Sequence, residues 1–210
     1  MFKPSSREIP IEKQAATLLF IDVQNYNARR DGGEYVGMST TELNERFGYF
    51  FDIIERETIS NMQKIQTACR ASQIEVMYTV IESLTKDGRD RSLDYKITGF
   101  NVPRDSWDAQ VLEAIAPADD EIVLSKTSSS VFISTNIDYV LRNLGTRYLV
   151  VLGFLTDQCI ESAVRDACDL GYLVTLVTDA CATLSAERHQ NSLNAIKGYC
   201  RQITTQEFLN

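Results

Sequence analysis

Tyr148-Leu149-Val150-Val151-Leu152 runs directly into Gly153-Phe154-Leu155-Thr156-Asp157-Gln158-Cys159-Ile160-Glu161-Ser162, and this stretch decides the fold. The apolar run that stops at a glycine predicts a strand buried on both faces. Residues 160, 163, 164, 167 and 168 are apolar at helical spacing, while Glu161, Arg165, Asp166 and Asp169 fall on other faces. A helix is therefore expected over 160–170, ending before Gly171. Cys159 then sits in the first turn of a helix, just past the carboxyl end of a strand. Unpaired N–H groups and the positive end of the helix dipole favour thiolate at such a position. The same N–H groups can receive an oxyanion once sulfur attacks a carbonyl. Core packing is the other use of a cysteine in such a place, and the neighbouring strand ends decide between the two.

The same alternation extends along the chain in both directions. Strands are expected at 17–23, 75–80, 121–124, 148–152, 173–177 and 202–204, and helices near 58–71, 107–114, 135–144, 160–170 and 186–199. Continuous apolar strands alternating with helices predict an α/β architecture with a parallel sheet covered on both faces. Ser134 or Thr135 is expected to cap the helix that stops before Gly145, and Asp105 or Ser106 the one near Trp107. Residues 25–41 and 83–101 read as loops leaving the carboxyl side of the sheet, where open α/β folds bind ligands.

A chain of 210 residues with 44% apolar content is expected to form one domain spanning 1–210. Its net charge of −8 argues against nucleic acid or an anionic membrane surface as a partner. No apolar run approaches the roughly 18 residues of a membrane span, and the stretch from Met1 to Glu8 lacks the apolar core of a secretory signal. Five cysteines, an odd number without Cys-x-x-Cys spacing, fit free thiols in a reducing compartment. A cytoplasmic location is expected.

Two further strand ends carry chemistry. Asp22 interrupts the apolar run Leu18-Leu19-Phe20-Ile21-Asp22-Val23, where a carboxylate needs a partner. Lys126 ends the strand after Glu121-Ile122-Val123-Leu124 and opens Lys126-Thr127-Ser128-Ser129-Ser130-Val131-Phe132. Asp22, Lys126 and Cys159 are thus expected on one rim of one sheet. Asp22 can take the thiol proton and later return it to a leaving amine, while Lys126 lowers the cysteine pKa by proximity of opposite charge. The only histidine, His189, lies far along the chain inside the last long helix and is a poor candidate for the base. No Gly-x-Gly-x-x-Gly follows the first strand, which disfavours a dinucleotide-binding enzyme.

Phe20-Ile21-Asp22-Val23-Gln24-Asn25, Lys126 to Phe132, Gly153 to Ser162, and Arg165-Asp166-Ala167-Cys168-Asp169-Leu170-Gly171-Tyr172 followed by Thr178-Asp179-Ala180 together resemble the isochorismatase-like cysteine hydrolases. The resemblance covers nearly the whole chain. It implies a three-layer α/β/α sandwich with a six-stranded parallel sheet in the order 3-2-1-4-5-6, and an Asp–Lys–Cys triad at Asp22, Lys126 and Cys159. It also implies a cis peptide joining Phe154 to Leu155, an oxyanion hole formed by the N–H groups of Leu155 and Cys159, and a homodimer or homotetramer. Nicotinamidases of this fold carry a histidine-containing metal site, which a chain with one histidine cannot build; no metal or cofactor is expected. The vinyl-ether-cleaving isochorismatases generally lack the cysteine, so Cys159 implies amide chemistry.

Asp120 to Lys126 and Thr135 to Arg142 look most like the ureide branch, which includes ureidoacrylate amidohydrolase, biuret hydrolase and N-carbamoylsarcosine amidase. The expected substrate is a small N-carbamoyl compound; a non-ureide amide and a non-catalytic scaffold are the alternatives. Gln24, Tyr26 and Phe154 are candidate pocket residues. Arg29, Arg30, Lys86, Arg89 and Arg91 are candidates to meet a substrate carboxylate. Trp107 and Tyr49-Phe50-Phe51 read as packing or subunit contact rather than cofactor stacking.

Overall fold

In the computed structural model, residues 7–210 are described; the first six residues of the stretch read for a leader lie outside them. Six strands, β1 Ala16–Ile21, β2 Glu75–Ile81, β3 Ile122–Lys126, β4 Tyr148–Phe154, β5 Leu173–Ala182 and β6 Arg201–Ile203, form one parallel sheet in the order β3-β2-β1-β4-β5-β6. Every residue of β1 and β4 is buried. That pattern requires cover on both faces, and helices supply it. Among them, α1 is Asn25–Ala28, α2 Thr40–Ile53, α3 Ile59–Ala71, α4 Leu93–Thr98, α5 Val131–Ser134, α6 Ile137–Asn143, α7 Glu161–Asp169, α8 Ala186–Ile196 and α9 Thr205–Leu209. α3 packs on β2 and β5 beside α9, and α7 packs on β5 beside α5 and α8. This is the expected sandwich and strand order.

Three local departures from the sequence reading have physical causes. α2 was not expected at all, although Ser39 accepts a hydrogen bond from the Glu42 N–H at 3.2 Å and caps it. Leu43, Phe47, Phe50, Phe51 and Ile54 follow at helical spacing and are packed into the core. The helix expected at 107–114 is instead two short 3₁₀ turns, Trp107–Ala109 and Glu113–Ile115. Between them the chain is drawn out alongside the segment after β1. Asn25 N–H donates to Gln110 O at 2.9 Å and Leu112 N–H to Val23 O at 3.1 Å. Tertiary pairing has overridden helix propensity. The expected loop at 83–101 contains α4, capped by Ser92, whose hydroxyl accepts from the Tyr95 N–H. Of the other capping expectations, neither holds as stated. α6 has Asn136 at its N-cap without a side-chain cap bond, the Thr135 hydroxyl accepting from the Ile137 N–H at 3.1 Å. Ser106 makes no cap bond.

The junction of β1 and β4 is the tightest point of the sheet. Gly153 has φ 131°, and a Cβ there would stand 2.1 Å from Ile21 O. Only glycine permits this approach. The next peptide, Phe154–Leu155, is cis. Gly48, inside α2, has open space around its missing Cβ. Gly153→Ala is expected to destabilise the chain by at least about 3 kcal/mol in thermal or denaturant unfolding. Gly48→Ala is expected to stabilise it by about 0.5–1 kcal/mol. Similar small effects at both positions would contradict this account of the junction.

Candidate active site

The strand order places a topological switch between β1 and β4, since β2 lies on one side of β1 and β4 on the other. Ligands of open α/β sheets bind past the carboxyl ends of the strands at such a switch. Asp22 stands one residue beyond β1 with φ 56°, a left-handed conformation that Asp tolerates better than most residues. Its N–H is anchored to Thr79 O at 2.9 Å. Lys126 ends β3 opposite Ile81, two strands away, and its long side chain bridges the gap across β2. The ammonium Nζ lies 2.9 Å from Asp22 Oδ2, 3.4 Å from Cys159 Sγ, 2.8 Å from Ser128 O and 3.4 Å from the Tyr95 hydroxyl. Cys159 approaches from the far side of β1, on a π-helical turn, Thr156–Ile160, that leads from β4 into α7.

That turn is clamped against α8. Arg188 pairs with Asp157 at 2.5 Å, and the Thr183 hydroxyl donates to the same carboxylate. Ser192 Oγ donates to Thr156 O at 3.1 Å and to Glu161 at 2.7 Å. His189 Nδ1 meets the Thr156 hydroxyl at 2.9 Å, and burial holds its pKa below the ordinary imidazole range. The histidine therefore supports the turn and does not line the cavity in front of Cys159.

Electrostatics correct one expectation. The helix start and Lys126 were expected to lower the Cys159 pKa, with Asp22 taking the thiol proton. Burial, and then Asp22, instead push the Cys159 thiol up to about 12, outweighing Lys126. Burial also raises the Asp22 carboxyl, with Lys126 acting against it, while Asp22 and Cys159 together hold Lys126 protonated. One fully buried lysine thus faces a carboxyl and a thiol, both of whose pKa values burial raises. The arrangement favours the protonated thiol at Cys159.

A cavity of about 620 Å³ opens over the trio, lined by Asp22, Cys159, Phe154 and Leu155, with Phe47, Phe50, Tyr95 and Phe100 as aromatic walls. Phe154 is where the sequence placed it; Phe50, read as packing, also forms wall. Gln24 and Tyr26 are not lining residues. Gln24 is fully buried and its amide bonds only to backbone: Nε2 donates to Ile81 O and Asp108 O, and Oε1 accepts from the Ile81 N–H. Tyr26 packs edge-on behind Phe100. Nor do the rim-loop cations reach the cavity. Arg29 pairs with Asp31, Arg30 with Glu55 and Arg89 with Asp87, while Arg91 donates to Gly88 O and Phe100 O.

The polar lining that the sequence reading missed includes Asn27, Glu34, Asp94, Glu161 and Arg165. Arg165 is tied to Glu161 at 2.8 Å. Glu34 stands in the turn Gly33–Tyr35 without an ion-pair partner among the described residues. Burial pushes its carboxyl up to about 7.

Glu34 yields a stability test. An unfolded glutamate titrates near 4.5, so between that value and about 7 the folded chain binds the extra proton. Stability is lost as pH rises through this interval and is flat above it. Glu34→Gln removes the effect. Its stability advantage over the parent should therefore widen by about 1–3 kcal/mol between about pH 5 and about pH 8 in denaturant titrations. A constant difference would show that Glu34 ionises freely.

Comparison with known proteins agrees with this geometry. The Isochorismatase domain model matches residues 16–208. Ureidoacrylate amidohydrolase RutB of Acinetobacter baylyi is 25% identical over 234 residues, covering 100% of this chain and 89% of its own. Its Rhizobium rhizogenes namesake is 29% identical over 192 residues, covering 83% and 74%. A cysteine hydrolase structure from Pseudomonas syringae pv. phaseolicola superposes with a TM-score of 0.81 at 25% identity, covering 100% of this chain and 97% of that one. With its sheet order, its strand-end trio and a family match over almost its full length, this chain belongs to the isochorismatase family.

Proposed function

We propose that the chain, as one hydrolase domain over 1–210, is a cysteine-dependent amidohydrolase that cleaves a C–N bond of a small N-carbamoyl compound. The observation that carries the proposal is Lys126 Nζ held 2.9 Å from a buried carboxylate and 3.4 Å from a buried thiol at the floor of a cavity. The similarity to proteins named ureidoacrylate amidohydrolase supports the ureide class.

The substrate carbonyl enters over Cys159. Asp22 takes the thiol proton as Sγ bonds to the carbamoyl carbon. Lys126, touching both groups, neutralises the anion whether it rests on oxygen or on sulfur. The Leu155 and Cys159 N–H groups are assigned to the developing oxyanion. As the C–N bond breaks, Asp22 gives its proton to the departing nitrogen, leaving an S-carbamoyl cysteine and a free amine. Water then loses a proton to Asp22 and adds to the acyl carbon. The C–S bond breaks, the thiolate recovers that proton, and carbamate leaves to decay to ammonia and carbon dioxide.

No bound metal is needed in this scheme, and among the described residues no cluster of His, Cys, Asp and Glu fits one. The assembly we expect is a homodimer or homotetramer, supported by the exposed apolar side chains of Leu93, Ile97, Ile133 and Tyr139.

Ammonia release is to be measured over biuret, ureidoacrylate, N-carbamoyl amino acids, nicotinamide and a plain aliphatic amide. At least one ureide should turn over, and Cys159→Ala, Asp22→Asn and Lys126→Met should each lower kcat by about a thousandfold or more. Turnover of the plain amide alone would replace the ureide assignment. Ureide binding without turnover would favour the scaffold, and near-normal turnover in any of the three variants would refute the mechanism.

A further inference from the structure

Two polar side chains of the cavity lining, Asn27 and Glu34, form no side-chain hydrogen bond or ion pair among the described residues. Asn27 is 7% exposed, lines the cavity, and its Oδ1 has no hydrogen-bond partner. A buried amide oxygen left unpaired in a native fold requires an explanation. The Glu34 carboxylate lines the same cavity and forms no hydrogen bond or ion pair among the described residues. Arg46, the cation that acts on it, is committed to Glu42 at 3.1 Å.

The two backbone segments that bear these side chains are tied to one another. The Tyr35 hydroxyl donates to the Asn27 carbonyl at 2.6 Å, and the Gly33 N–H donates to Asp108 Oδ1 at 3.0 Å. A Cβ on Gly32 would meet the carbonyl oxygens of Asn25 and Tyr26 at 2.3 Å, so the loop bearing Glu34 lies directly on the α1 backbone. Among the described residues, the cations nearest the cavity already carry a carboxylate partner. Arg165 is spent on Glu161 and Lys126 on Asp22 and Cys159.

We propose that Glu34 and Asn27 form the specificity subsite, and that it takes a cationic amino group at the end of the substrate remote from the scissile carbonyl. The inference rests on the hydrolase reading above and names its substrate class as an amino-bearing ureide rather than a carboxylate-bearing one. An ammonium offers three donors to the two side chains. It also supplies the counter-charge that the Glu34 carboxyl lacks in a site where burial holds its pKa near 7. A net charge of −8 draws cations toward the cavity and repels anions.

The test uses three ureas with propyl-length chains that differ only at the far end: aminopropylurea, butylurea and ureidobutyrate. In the full-length protein, kcat/KM should follow that order, with about tenfold or more between the first and second. Glu34→Gln should lower the ratio of the aminopropylurea to the butylurea kcat/KM by about tenfold. Asn27→Ala should act in the same direction. Preference for ureidobutyrate, or an ammonium preference untouched by both substitutions, overturns the proposal.

Calorimetric binding of the same three compounds to Cys159→Ala reads the subsite without turnover. If the parent hydrolyses no ureide, the reaction assignment falls. The subsite then stands only if aminopropylurea binds tightest and loses that advantage when Glu34→Gln is added. Equal binding, or no binding, overturns it.

Discussion

A buried ion pair organises this molecule. Asp22 and Lys126 are, respectively, 1% and 0% exposed at the side chain and 2.9 Å apart. Removing two charges from water is costly, and the mutual attraction offsets that cost only when geometry and further hydrogen bonds are good. Those conditions dictate much of the surrounding structure. β2 must lie between β1 and β3 so that the lysine crosses one strand to reach the carboxylate. Ser128 O and the Tyr95 hydroxyl must complete the ammonium's partners, which fixes the loop after β3 and the start of α4. On the other side of β1, Gly153 must lack a side chain so that β4 can deliver the cysteine turn close beside Asp22.

The pair also sets the state of the nucleophile. A thiol in so buried a place would be inert by itself, and burial together with Asp22 does push Cys159 up to about 12. Under the proposed mechanism its reactivity comes from a proton exchange within the trio rather than from a resting thiolate. The cation is shared, so moving the anion from Asp22 to Cys159 and back needs little reorganisation. The trio itself is buried beneath a partly aromatic cavity, and a low local dielectric strengthens each of these interactions.

Much of this was legible in the sequence because it rests on strands. β1 and β4 are continuous apolar runs, and a residue that breaks such a run at its carboxyl end, as Asp22 does, stands out. Cys159 was marked by its place between a strand and a helix, and Lys126 by ending an apolar strand. The direction of the Cys159 shift was misjudged because depth of burial is not encoded in local sequence. Gln24 was assigned to the pocket because it follows Asp22 so closely. Its amide is instead used on the backbone of β2 and of the segment after it, a contact between residues 57 and 84 positions apart. Asn27 and Glu34 lie in a loop whose shape depends on Gly32 touching α1, and nothing periodic announces that. α2 was a different failure: Ser39, Glu42 and the apolar spacing from Leu43 to Ile54 were present and went unread.

The central claim is that Cys159 forms a covalent acyl intermediate with its proton held by Asp22. Its most direct test is acid-quenched intact-mass and peptide-mass analysis during turnover of a hydrolysed ureide. The account predicts an added carbamoyl mass on the peptide containing Cys159 that appears and decays with turnover, and that fails to form in Asp22→Asn. Steady turnover with the cysteine peptide unmodified, or with the adduct on another residue, would contradict it.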